Sequence, residues 1–60
     1  MLHTVSKAGT ILNLFSKETP EWGVSELARK LDLPKSTISE LTATLASQGL
    51  LERTNAGRYR

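Results

Sequence analysis

Sixty residues make one small domain, and 38% hydrophobic with 23% charged residues is the balance of a globule, not of a disordered or fibrous chain. Zero cysteines exclude disulfides, thiolate nucleophiles and Cys-based zinc sites, one histidine (His3) cannot assemble a metal cluster, and no apolar stretch approaches the ~18 residues that span a bilayer. The formal net charge of +2 is concentrated in two groups: Arg29, Lys30 and Lys35, interrupted by Asp32, and Arg53, Arg58 and Arg60, with no acid after Glu52.

From Thr4 to Lys17, Val5, Ala8, Ile11, Leu12 and Phe15 recur at intervals of three and four, which predicts one apolar stripe on a first helix. Thr4 is its expected N-cap, Gly9 costs it roughly 1 kcal/mol, and Pro20 within Glu18-Thr19-Pro20-Glu21 ends it. Trp22-Gly23-Val24 reads as a short extended piece. Ser25 then caps a two-turn helix, with Glu26 in the first turn and Leu27, Ala28 and Leu31 on the buried face.

That helix breaks at Asp32-Leu33-Pro34, where Asp32 tolerates a left-handed turn that glycine adopts with less strain. A longer helix is predicted from Pro34, as first helical residue, to Gln48. Thr37-Ile38-Ser39-Glu40 offers a competing capped start. Ile38, Leu41 and Leu45 share the inner face, Thr42 and Ala46 lie at its margin, and Gly49 stops the helix. Leu50-Leu51-Glu52-Arg53-Thr54 reads as a strand, Asn55-Ala56-Gly57 as a turn, and Arg58-Tyr59-Arg60 as a returning strand. The chain ends within that strand, so further residues are expected beyond Arg60.

Helix, short strand, helix, sharp turn, helix and hairpin predict a mainly α fold with a small β-hairpin, a winged helix-turn-helix of three helices plus wing. The short link between the second and third helices forces a steep crossing and leaves one face of the third helix outside the core. With Ile38 and Leu45 inside, Ser36, Glu40, Ala43 and Ser47 point outward, flanked by Thr37, Ser39 and Thr44. That face has small or hydrogen-bonding side chains and lacks the aromatic or leucine anchor usual in a protein–protein surface. A helix of this kind fits the major groove of DNA, with Lys35 at the phosphate-favouring N-terminus. Arg53, Asn55, Arg58 and Arg60 project from the wing, where arginine straddles phosphates or enters the minor groove.

The run Ser25-Glu26-Leu27-Ala28-Arg29-Lys30-Leu31, then Leu33-Pro34-Lys35-Ser36-Thr37, Ala43-Thr44-Leu45, Gly49-Leu50-Leu51-Glu52-Arg53 and Gly57-Arg58-Tyr59-Arg60, resembles the N-terminal DNA-binding domain of the IclR family of bacterial transcriptional regulators. The likeness covers about Thr4 to Arg60. It implies a single winged helix-turn-helix over residues 1–60 that binds double-stranded operator DNA as a homodimer in the cytoplasm. It also implies a linker to a C-terminal domain, absent from this chain, that senses a small-molecule effector. By position the DNA-binding set is Ser25, Lys35, Ser36, Thr37, Ser39, Glu40 and Thr44, with Arg53, Arg58 and Arg60 on the wing. Two departures stand out: Asp32 replaces a frequent glycine, and Ser39-Glu40 replaces a common basic pair. An acid facing the groove repels phosphate but accepts from the cytosine amino group, so Glu40 is expected to select cytosine.

Catalysis is not expected. Lys35-Ser36-Thr37 matches the tail of a phosphate-binding P-loop without its glycines or leading strand, and no carboxylate pair or usable histidine accompanies the serines. No cofactor or metal is expected, and no membrane partner. The rival reading is a winged helix that binds protein, anchored by Trp22 and Tyr59. Aromatics in so small a domain more often fill the core or brace a hairpin.

Overall fold

The computed structural model describes the backbone of residues 2–60 and the side chains from Ser6 onward. Helix α1 spans Leu2–Leu14, α2 spans Val24–Leu31 and α3 spans Lys35–Ser47. The expected cap Thr4 is inside α1, because a cap preference of about 1 kcal/mol does not halt a helix that its preceding residues can extend. The side chains of His3 and Val5 lie outside the described residues. At its other end α1 stops three residues before Lys17. Ser16 closes a turn instead, donating its N–H to the Thr19 carbonyl at 3.1 Å and accepting the Thr19 N–H on Oγ at 3.1 Å. The Trp22 indole N–H donates to the Leu14 carbonyl at 3.0 Å, satisfying one acceptor that the end of α1 leaves open.

Helix α2 opens earlier than Ser25. Gly23 is its N-cap, in extended geometry, and Val24 is already helical. The Glu26 carboxylate accepts the Gly23 N–H at 2.8 Å, which is half of a reciprocal cap box; glycine has no side chain to return the bond. At the other end Asp32 adopts φ 56° and ψ 48°, as expected of the tight turn, and the Leu33 N–H reaches the Ala28 carbonyl at 3.0 Å. Pro34 is the N-cap of α3, one position outside the predicted place, with its carbonyl accepting from the Ile38 N–H at 3.1 Å. The alternative start at Thr37 falls inside the helix. Gly49, at φ +79°, supplies the left-handed stop, and Gly49 and Leu50 donate back to the Ala46 and Leu45 carbonyls at 3.0 and 2.9 Å.

Leu50 and Leu51 belong to this turn and not to a strand, since their N–H groups both return to Leu45. What remains of the hairpin is a minimal ladder. Glu52 and Arg60 exchange two backbone bonds of 2.8 and 2.9 Å, and Thr54 donates to Arg58 at 2.7 Å. Tyr59 also exchanges bonds with Trp22 on its other side, at 2.8 and 2.9 Å. Tyr59 is therefore the middle of a three-segment antiparallel arrangement made of single bridges to Trp22 and Arg53.

One core joins these elements. Ile11 of α1, Leu27 and Ala28 of α2, Ile38 and Leu45 of α3, Leu51 of the turn after α3 and Tyr59 of the hairpin are buried together. Thr42, expected at the margin of α3, is 0% exposed and at its centre, while Leu41 and Ala46 are only half-buried. Its hydroxyl donates to the Ile38 carbonyl at 2.8 Å, so the one buried polar side chain among the described residues satisfies itself within its own helix. No helix among the described residues is long and apolar enough to cross a membrane.

Candidate nucleic-acid interface

Burying Ile38, Thr42 and Leu45 fixes the rotation of α3 and leaves Ser36, Ser39, Glu40, Ala43, Thr44 and Ser47 exposed, with Thr37 half-buried beside them. The hydroxyls near the C-terminal end of that face are not idle. Thr44 Oγ1 donates to the Glu40 carbonyl at 2.8 Å and Ser47 Oγ to the Thr44 carbonyl at 2.7 Å. Each spends its proton on the helix and turns lone pairs outward, beside the acceptor-only carboxylate of Glu40. Lys35, Ser36 and Ser39 sit nearer the N-terminus, where the open backbone N–H groups also favour anions.

Two shallow grooves flank α3. One, of about 380 Å³, is lined by Ser25, Ala28 and Arg29 of α2, by Asp32 and Leu33 of the turn, and by Lys35. Ser25 and Arg29 lie on one side of α2 by their spacing of four, and the short α2–α3 turn gathers Ser25, Arg29 and Lys35 around one groove at the start of α3. The other groove, of about 540 Å³, places Lys7 of α1 opposite Thr37, Glu40, Leu41, Ala43 and Thr44. Lys7 was absent from the site expected from sequence, and Arg29 stood only in the basic group with Lys30 and Lys35, outside the residues assigned to DNA. The spacing of Lys7 four residues before Ile11 puts it at the edge of the buried stripe, which was the available signal.

The hairpin arginines divide. Arg53 is exposed near the turn, together with Asn55, and its guanidinium lies over Gly57. Arg60 is exposed and pairs with Glu52 at 2.7 Å, which holds its proton more firmly than usual. Arg58 turns inward. Its Nε donates to Glu21 Oε1 at 3.2 Å, and its Nη2 donates to Glu26 Oε1 at 2.7 Å and to the Glu21 carbonyl at 3.4 Å. The Gly23 N–H, and next the Arg58 guanidinium, hold the Glu26 carboxyl below its ordinary pKa. The structure thus groups Ser25 with Lys35 and the α3 residues, leaves Arg53 at the hairpin tip, and places Arg58 between two carboxylates.

No aromatic anchor for a protein partner is exposed among the described residues: Tyr59 is buried, Trp22 is half-buried, and the one exposed large hydrophobic side chain is Leu50.

Among curated proteins none matches this sequence. Among solved structures, a protein described as an IclR transcriptional regulator from Silicibacter sp. TM1040 superposes with a TM-score of 0.89 and 37% identity over 95% of this chain. A transcriptional regulator of the IclR family from Rhodococcus sp. superposes with a TM-score of 0.88 and 29% identity over 97%. The chain spans 22% and 23% of those two proteins. The sequence model of the IclR helix-turn-helix domain matches residues 4–55, from the interior of α1 to the hairpin turn. Since the family model matches most of its length, this chain belongs to the IclR helix-turn-helix family.

Proposed function

We propose that the chain binds double-stranded operator DNA in bacterial transcription regulation, with α3 in the major groove and the hairpin as a wing on the backbone or minor groove. The observation that carries this reading is the exposed face of α3. It is free of large apolar groups, lined with small polar ones, and bordered by Lys7 in one groove and by Arg29 and Lys35 in the other. Small side chains let the helix backbone approach the base edges, while the flanking cations meet the phosphate rails. Lys35, Ser36, Thr37 and Ser25 form the phosphate-proximal end. Ser39, Glu40 and Thr44 face the bases, and Arg53 and Arg60 serve the wing.

The acceptor bias of Glu40, Thr44 and Ser47 matches the amino groups of cytosine and adenine, and Glu40 selects cytosine through its N4 amino group. The working protein is a homodimer in the cytoplasm, and residues 1–60 are one domain of it, joined to an effector-binding domain outside this chain. The likeness to two regulators several times longer supports the presence of a further domain.

Selection of bound duplexes from a random pool, followed by salt titration of the enriched sequence, tests the reading. The expected result is a sequence with paired half-sites about one helical turn apart and a logarithmic affinity that falls linearly with logarithmic salt. Recovery of no sequence, or binding indifferent to salt, refutes it.

A further inference from the structure

The geometry around Arg58 assigns a task to two acids that no base or phosphate would attract. Arg58 is the last residue before the buried Tyr59, and its side chain is 37% exposed. Its planar fork meets Glu21 from the loop before α2 and Glu26 from the first turn of α2, residues 37 and 32 positions away in sequence. Glu26 Oε1 receives both this guanidinium and the Gly23 N–H, at 2.7 and 2.8 Å, so the start of α2 and the base of the hairpin share one oxygen atom.

We propose that Glu21 and Glu26 are positioning residues for DNA binding, which clamp Arg58 so that the wing is fixed against the N-terminus of α2 and this guanidinium is kept off the nucleic acid. The proposal rests on the DNA-binding reading above and adds a division of labour within the hairpin: Arg53 reaches DNA, and Arg58 holds the reach in place.

The hairpin needs such a device. Its own ladder consists of the paired bonds at Glu52–Arg60 and the bond at Thr54–Arg58, and a two-stranded ribbon that short is marginal in water. Tyr59 anchors one side through Trp22 and the core. Nothing in that anchor fixes the swing of the tip, where Arg53 and Asn55 are exposed. The Arg58 fork, bound at two donors to groups on one rigid frame, fixes it in two directions as a single point charge cannot. The start of α2 is itself tied to the reading surface, because Ser25, adjacent to Glu26, lines the groove shared with Arg29 and Lys35. Wing and α3 are therefore referenced to the same two turns of helix. Two carboxylates against one guanidinium leave the cluster net negative, the reverse of a phosphate site. A Cβ on Gly23 would stand 3.3 Å from Arg58 Nη1, so the clamp is close-fitted as well as charged.

The test compares the unaltered chain with Glu26→Gln, Glu21→Gln and Arg58→Lys, using fluorescence anisotropy with a labelled duplex of the enriched sequence, and ¹⁵N relaxation of the free proteins. If a nonspecific Kd near 10⁻⁵ M is spread over six to ten phosphate contacts, each contact carries about a three- to sevenfold factor. Glu26→Gln and Glu21→Gln should each weaken binding by about one such factor, although each removes a negative charge that repels DNA. Arg58→Lys should weaken it similarly, because lysine keeps the charge and loses the fork. In the free variants the amides of Arg53 to Gly57 should lose order while those of α3 do not. Tighter or unchanged binding in the glutamine variants, or full activity in Arg58→Lys, overturns the proposal. So does unchanged wing order, a readout independent of DNA. Failure of the unaltered chain to bind any duplex defeats the DNA-binding reading instead. Glu21→Gln, altered in a loop, keeps the comparison open should Glu26→Gln unfold α2.

Discussion

Replacing Asp32 tests the reading of the α2–α3 turn on which the whole interface depends. Asp32 is the one non-glycine residue with positive φ among the described residues, at φ 56°. A left-handed backbone costs an ordinary L-residue about 1–2 kcal/mol, and aspartate sits at the lower end of that range. No ion pair holds its carboxylate among the described residues, and its side chain is exposed, so truncation forfeits no bond. Asp32→Gly should then recover about 1 kcal/mol of backbone strain and about 0.3 kcal/mol from removing an anion at the C-terminus of α2, against roughly 0.7 kcal/mol for the larger freedom of the unfolded glycine chain. The net is a gain of about 0.6 kcal/mol, or roughly 2–5 °C in Tm for a domain of this size.

Thermal melts followed by circular dichroism at low protein concentration would read this directly. Asp32→Asn removes the charge and keeps the tolerance for the left-handed region, so it should gain the smaller electrostatic part alone. Asp32→Ala keeps a Cβ without the polar group that eases the conformation, so it should lose stability. The expected order is Gly, Asn, Asp, Ala. A glycine variant that melts below the parent would refute the argument, because it would mean that the carboxylate holds the turn. The same substitution removes an acid from the groove that contains Arg29 and Lys35, so it should also tighten DNA binding at low salt, an effect that disappears as salt rises.

Thr42→Val should be close to neutral, since the Ile38 carbonyl keeps its helical partner, whereas Thr42→Ala opens a void at a 0% exposed position and should cost about 1–2 kcal/mol in urea melts. Glu40→Gln should relax the preference for cytosine at one operator position and raise affinity for unrelated duplexes; unchanged relative preferences across operator variants would show that Glu40 reads nothing. Lys7→Gln should lower the slope of logarithmic affinity against logarithmic salt by about 0.9 if Lys7 neutralises one phosphate, and an unaltered slope places Lys7 outside the contact. Glu26 has a lowered folded pKa, so its contribution to stability is complete above its ordinary value of 4.5 and is lost as pH falls through the folded value. Melts of Glu26→Gln should accordingly show a smaller drop in Tm on acidification than melts of the parent, and equal drops would refute the linkage.

The parts of this molecule that short-range rules describe were legible in the sequence, and the parts made by distant partners were not. The break at Asp32 and the stop at Gly49 are properties of single backbones, and both fell where turn chemistry predicts. The exposed face of α3 followed from periodicity once Ile38 and Leu45 were taken as inside. The cap of α2 misled because Ser25 is the better capping side chain, yet Gly23 with Glu26 three residues on makes a bond that Ser25 would have to make with the residue at 28, an alanine. Thr42 misled because its polarity suggests the margin, and a hydroxyl that bonds its own helix is buried at little cost. Arg58 could not be placed by local reasoning at all. Alternation along the strand opposes it to the buried Tyr59, which predicts exposure, and only the folded chain brings Glu21 and Glu26 beneath it.

Arg58 and the α3 hydroxyls show the same economy in different bonds. A chain of sixty residues without disulfides cannot hold a reading surface rigid by core size alone. Here polar groups that resemble ligand-binding residues are spent on the fold: Thr44 and Ser47 hold their own helix, Trp22 closes α1, and Arg58 fastens the hairpin. Each such bond orders a group before any partner arrives, which lowers the conformational cost of binding. Arg29, Lys35, Lys7 and Arg53 make no ion pair among the described residues, and on the proposed DNA-binding reading they are among the cations that meet phosphate; they come from all three helices and the hairpin. A count of basic residues along the sequence therefore misjudges where the positive charge is available, and the pairing pattern decides it: of the three C-terminal arginines, Arg58 and Arg60 are held by carboxylates and Arg53 alone is unpaired among the described residues.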